Sequence, residues 1–125
     1  MVIRMQYAQM KSLLESMTNP VDKLEMLMDF GRDLELCPSG AVCHEIVGCT
    51  SHVEICVTDD NKLYGVADSG IVRGVVAVLL AMVRDKTPEQ IKNMDLQQEF
   101  LSLNLNLGAA RLSGVNSMIR FLQNL

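Results

Sequence analysis

The stretch "IVRGVVAVLLAMVR", residues 71–84, leaves little choice about its own place in a fold. It reads as a helix from Ile71 to Arg84 that is apolar nearly all the way round. Such a helix has no face to offer to water, so it must lie at the centre with the remaining elements packed over it. It does not cross a membrane: the continuous apolar run Gly74–Val83 is 10 residues, against the ~20 needed to span a bilayer. Residues 1–17 carry Arg4, Lys11 and Glu15 among the apolar positions, the wrong composition for a secretory signal. The expectation is a soluble, cytoplasmic protein.

The covering elements can be read on either side of it. Ile3, Tyr7, Met10, Leu14 and Met17 recur at helical spacing, which predicts a first helix over residues 3–17. Asn19-Pro20 restarts the chain, with Asn as N-cap and Pro at the first helical position. The second helix runs to about Leu34, with Val21, Leu24, Leu27 and Met28 inward. After the Pro38-Ser39-Gly40 loop the period changes from Val42 on. Val53, Ile55 and Val57 alternate with His52, Glu54 and Cys56, the pattern of a strand with one covered face. Asp59-Asp60-Asn61 is a hairpin turn, and Leu63 to Asp68 returns as a third strand. Beyond the buried helix, Thr87-Pro88-Glu89-Gln90 is a capping box, two short helices fill 88–103, and Gly108 to Leu125 forms a last helix. Val115, Met118, Ile119 and Leu122 face inward on it. The expected fold is α+β, a three-stranded antiparallel sheet packed against helices in the order αα-βββ-αααα.

At 125 residues with 49% apolar content, the chain is expected to form one domain, residues 1–125, with a core large enough to need no disulfide staples. With no Trp and 4% aromatics, nine Met residues take over much of the filling. A net charge of −4 gives no basic footprint for nucleic acid, and so few aromatics give no stacking platform.

Four cysteines, at positions 37, 43, 49 and 56, are read as reduced thiols in such a compartment. None of the gaps is a zinc-knuckle spacing, although Cys43, His44, Cys49 and His52 could still converge across a hairpin. Cys37 and Cys56 read as small hydrophobes. Cys49 differs. It stands at a bend after Gly48, and the hydroxyls and amides of Thr50 and Ser51 are able to donate toward a thiolate. On local features alone it is either a nucleophile or a half-buried turn residue. No phosphate loop, dinucleotide fingerprint or serine elbow is present.

Four segments carry a resemblance: "GCTSHV" at 48–53, "ADSGIVRG" at 67–74, "KTPEQI" at 86–91 and "ARLSGVNSMI" at 110–119. Together, and in this order, they resemble the SufE-like proteins, sulfur acceptors for cysteine desulfurases in iron–sulfur cluster assembly. The resemblance implies the SufE/NifU-like fold and makes Cys49 the cysteine that accepts a persulfide sulfur, with Gly48, Ser51 and Val53 matching around it; His52, a strand's length from Cys49, is a further site-supporting candidate. The resemblance places the acidic-serine pair on Asp68 and Ser69 and the arginine of the last helix on Arg111, as site-supporting or partner-binding residues. It implies as partners a pyridoxal-phosphate cysteine desulfurase, which the protein stimulates, and a downstream cluster scaffold. No cofactor or metal of its own is expected, and monomer and dimer stay open. Two other readings stand beside it: an iron–sulfur or zinc scaffold of the same pathway, and a regulator that binds a desulfurase without taking sulfur.

Overall fold

A computed structural model describes residues 5–125. Nine elements follow one another: helices α1 (Tyr7–Glu15) and α2 (Pro20–Arg32), strands β1 (Val42–Glu45), β2 (Val53–Val57) and β3 (Leu63–Ala67), then helices α3 (Gly70–Val83), α4 (Pro88–Lys92), α5 (Leu96–Leu101) and α6 (Ala109–Leu122). The expected α+β order αα-βββ-αααα is the observed one. The sheet is an antiparallel meander in the order β1-β2-β3.

The all-round apolar helix lies at the centre, as its composition demands. Every α3 residue from Gly74 to Val83 is buried. On one side it packs on β3, where a Cβ on Gly65 would run into the Val76 side chain. On the other it crosses α2 backbone to backbone. A Cβ on Gly31 would lie 2.6 Å from the Gly74 amide nitrogen, and one on Gly74 would fall on the Leu27 carbonyl. Glycine is required at this crossing because no side chain fits between the two main chains.

The helix boundaries follow their caps. The Asn19 side chain accepts a 2.9 Å bond from the Val21 amide, with Pro20 at the first position. Thr87 and Gln90 close a reciprocal capping box at α4. Residues 3 and 4 of the expected first helix lie outside the described residues; α1 is capped by Gln6 and begins at Tyr7. Tyr7 Oη donates to Glu99 at 2.7 Å and Lys11 forms an ion pair with the same carboxylate at 2.9 Å, tying α1 to α5.

The inward face of α2 differs from expectation. Leu27, Phe30 and Gly31 are buried, whereas Val21 is 60% exposed and Met28 lies at the rim. The Gly31–Gly74 contact rotates the helix, so the buried stripe runs through Leu27 and Gly31, one turn apart. The strands depart from simple alternation as well. Val53 and Ile55 point toward the helices, yet Cys56 on the other face is also 0% exposed. The last helix is as expected, with Val115, Met118, Ile119 and Leu122 all buried.

Candidate functional site

Between β1 and β2 the chain makes a loop that leans on α6. Gly48 takes φ +103, a conformation L side chains rarely adopt, and a Cβ there would sit 2.5 Å from Ser117 Oγ. The next residue, Cys49, is thereby aimed at the same helix. Its thiol donates to the Gly114 carbonyl over 3.7 Å. Gly114 is what lets the loop approach, since a Cβ on it would lie 3.2 Å from Cys49 Sγ. The thiol is half-buried in this crevice and free of any disulfide.

The electrostatics correct one expectation. Burial pushes the Cys49 thiol above its ordinary pKa, because a thiolate loses hydration there. Neither Thr50 nor Ser51 donates to the sulfur; the one hydrogen bond it makes among the described residues, to a carbonyl, suits the neutral thiol. Ser51 Oγ is instead buried with no partner in the same loop. Burial and the carbonyl bond both favour the neutral thiol over the thiolate in this crevice.

The other expected residues fall around the loop in different ways. His52 lies on the outer face of the sheet, its Nε2 2.8 Å from Glu54 and its Nδ1 3.8 Å from Glu45. The Glu54 contact foremost, with Glu45 and Asp68 adding, raises its pKa. The Asp68 amide donates to the His52 carbonyl at 3.3 Å, which holds the start of α3 against the cysteine loop. Ser69 is the N-cap of α3 by backbone conformation, without a side-chain cap bond. Arg111 is exposed on the first turn of α6, one turn before Gly114, with no ion pair among the described residues. The sequence marked the loop and the two helices, and hydrogen bonds join the loop to Asp68 through His52 and to α6 through Cys49 and Gly114. The sequence did not single out Gly114 and Ser117, whose signal was a small residue at each point of a helix that a bend must touch.

Two cysteine readings are corrected. The four thiols are not all reduced: Cys43 and Cys56 form a disulfide. Strand register explains it, for Cys43 pairs directly with Cys56 across the β1–β2 ladder. Nor do Cys43, His44, Cys49 and His52 converge. His44 packs against Phe121 with ring centroids 5.3 Å apart, and His52 is held by carboxylates. The cysteines that do gather are Cys37, Cys43 and Cys56. A cleft of about 550 Å³ between α1, β3 and the end of α3 is lined by none of the expected site residues and by no cysteine. The thiol chemistry open to this chain therefore lies elsewhere, at the Cys49 loop and the cysteine cluster.

Fold and site together define an α+β protein with two free cysteines, of which Cys49 lies half-buried on a loop held against the last helix. Residues 8–125 match the SufE family, an Fe-S metabolism associated domain, and the chain belongs to that family. It is thereby a protein of iron–sulfur metabolism. A solution structure of a hypothetical protein from Thermus thermophilus is similar in fold, with a TM-score of 0.66 at 15% identity, covering 98% of this chain and 94% of that one. No helix among the described residues is long and apolar enough to cross a membrane.

Proposed function

We propose that the protein is a sulfur acceptor that takes persulfide sulfur from a cysteine desulfurase onto Cys49 and passes it on for iron–sulfur cluster assembly, stimulating the desulfurase as it does so. The observation that carries this reading is the half-shielded Cys49 thiol held against Gly114 behind a positive-φ glycine.

The exchange follows thiol–disulfide logic. Cys49, as thiolate, attacks the outer sulfur of the desulfurase cysteine persulfide. A bond forms from Cys49 Sγ to that sulfur, the sulfur–sulfur bond of the donor breaks, and the desulfurase cysteine leaves as thiolate. No net oxidation occurs. The raised pKa of Cys49 fits a carrier that is quiet in solution. A docking partner that lifts the loop from Gly114 removes the carbonyl acceptor and the burial together, and both changes favour the thiolate. The cargo then returns to the crevice, where solvent reductants reach it slowly. The protein acts as an accessory carrier with a covalent intermediate, not as a stand-alone enzyme. The partners are a pyridoxal-phosphate desulfurase, which performs the carbon–sulfur cleavage, and a cluster scaffold.

The test is intact-mass analysis after incubation with a desulfurase and cysteine. Gain of one sulfur atom on Cys49 is expected, with no gain in Cys49→Ser. If Cys49→Ser still stimulates the desulfurase fully, the protein is a binder and the carrier reading is wrong.

A further inference from the structure

The outer face of the sheet carries a sulfur cluster, at the end of the β1–β2 hairpin away from the Cys49 loop. Cys43 and Cys56 lie opposite each other in the ladder and are joined. A third sulfur comes from outside the sheet. The turn at Pro38-Ser39-Gly40, closed by the Ala41 amide on the Pro38 carbonyl and by φ +93 at Gly40, folds Cys37 back over β1. Its Sγ stands 3.6 Å from Cys43 Sγ, and all three sulfurs lie within 4.8 Å of one another. No histidine or carboxylate among the described residues joins the group.

A disulfide accounts for two of these sulfurs and leaves the third without a task. A trigonal site accounts for all three. A thiolate–metal bond of about 2.3 Å sets three sulfurs in a plane about 4 Å apart, near the 3.6 Å between Cys37 and Cys43; Cys43 and Cys56 reach that spacing only when their disulfide is reduced. Cys56 is 0% exposed and gives the site an anchored floor, while Cys37 and Cys43 are reachable from solvent and leave an entry path. We infer that Cys37, Cys43 and Cys56 in their reduced form are a three-thiolate site for one soft closed-shell metal ion, copper(I). Thiolates select soft ions, and a set of three with no fourth ligand fits trigonal copper(I) better than zinc, whose structural sites close with four. This departs from the expectation of no metal and does not rest on the role of Cys49.

Loading balances as two steps. A dithiol reductant gives two electrons and two protons to the Cys43–Cys56 disulfide and is itself oxidised to a disulfide. The three thiols then bind one Cu⁺ and release three protons.

The experiment is competition for Cu⁺ between the protein and bicinchoninate. Wild type, Cys49→Ser and Cys37→Ser are reduced with dithiothreitol and desalted under argon, with unreduced wild type and a Zn²⁺ arm alongside. Wild type and Cys49→Ser are expected to take one Cu⁺ per chain, and unreduced protein none. Cys37→Ser, altered only in a surface loop, keeps its circular dichroism and binds more weakly by about tenfold or more. Unchanged binding in Cys37→Ser, loss in Cys49→Ser, or preference for Zn²⁺ over Cu⁺ would each overturn the assignment.

Discussion

At the scale of single residues, Cys49 and His52 titrate in ways that can be measured. The Cys49 pKa is raised by desolvation, so its alkylation rate in the free protein is expected to keep climbing with pH beyond the range where an ordinary thiol levels off. Iodoacetamide rates followed by peptide mass check this; a plateau below the ordinary thiol pKa would mean a stabilised thiolate. The sign for His52 also follows from its partners. Its folded pKa lies above the ordinary value of 6.5 through Glu54 first, then Glu45 and Asp68. The stabilisation from this group is therefore complete below the unfolded pKa and is lost as pH rises through the folded one. Proton NMR is expected to give a His52 midpoint above 6.5, and Glu54→Gln to bring it down. An unmoved midpoint in Glu54→Gln would mean that the contact does not hold the charge.

At the scale of elements, two glycines do opposite work. Gly114 sits within α6, where alanine is intrinsically better by about 0.5–1 kcal/mol. Its Cβ would lie 3.2 Å from Cys49 Sγ, tight for the thiol and leaving no room for a second sulfur. Gly114→Ala is thus expected to fold with little change in stability yet to hold a Cys49 persulfide poorly, seen as faster loss of sulfur to a small thiol reductant. Equal persulfide lifetimes would show that the α6 crevice does not shield the cargo. Gly74 is a packing requirement instead. Its Cβ would strike the Leu27 carbonyl, a backbone group of α2 that cannot swing aside. Forcing the central crossing open costs about 1–3 kcal/mol or more, so Gly74→Ala is expected to lower the urea midpoint clearly.

At the scale of the whole molecule, the β1–β2 loop is bonded to α6 through Cys49 and Gly114 and to the residue before α3's cap through His52 and Asp68, and Arg111 stands exposed one turn before Gly114. An arginine there can make bidentate contacts that lysine does not reproduce. Arg111→Ala is expected to weaken desulfurase stimulation while leaving Cys49 alkylation by a small reagent unchanged. The loss is ~1 kcal/mol or less for a rim contact, and several times that if the contact is buried on docking. Binding by calorimetry and alkylation measured in parallel decide it. Slower alkylation with unchanged binding would move Arg111 from docking to thiol activation.

Much of this was legible in the chain itself, because local and periodic signals carry it. The all-round apolar run made α3 central, Asn19-Pro20 and Thr87–Gln90 marked helix starts, and Gly48-Cys49 marked a bend bearing a thiol. Those signals act within a few residues and do not need the rest of the fold. What only tertiary structure decided lies between distant segments. The rotation of α2 depends on where Gly31 meets Gly74, so Val21 and Met28 turned outward although their spacing suited the core. The burial that raises the Cys49 pKa comes where its loop meets α6, with Gly114, 65 residues away, against the thiol. The gathering of Cys37, Cys43 and Cys56 depends on strand register and one loop turn. Sequence spacing carries no record of register, since the residue that faces Cys43 is chosen by how the whole hairpin buries Val53 and Ile55.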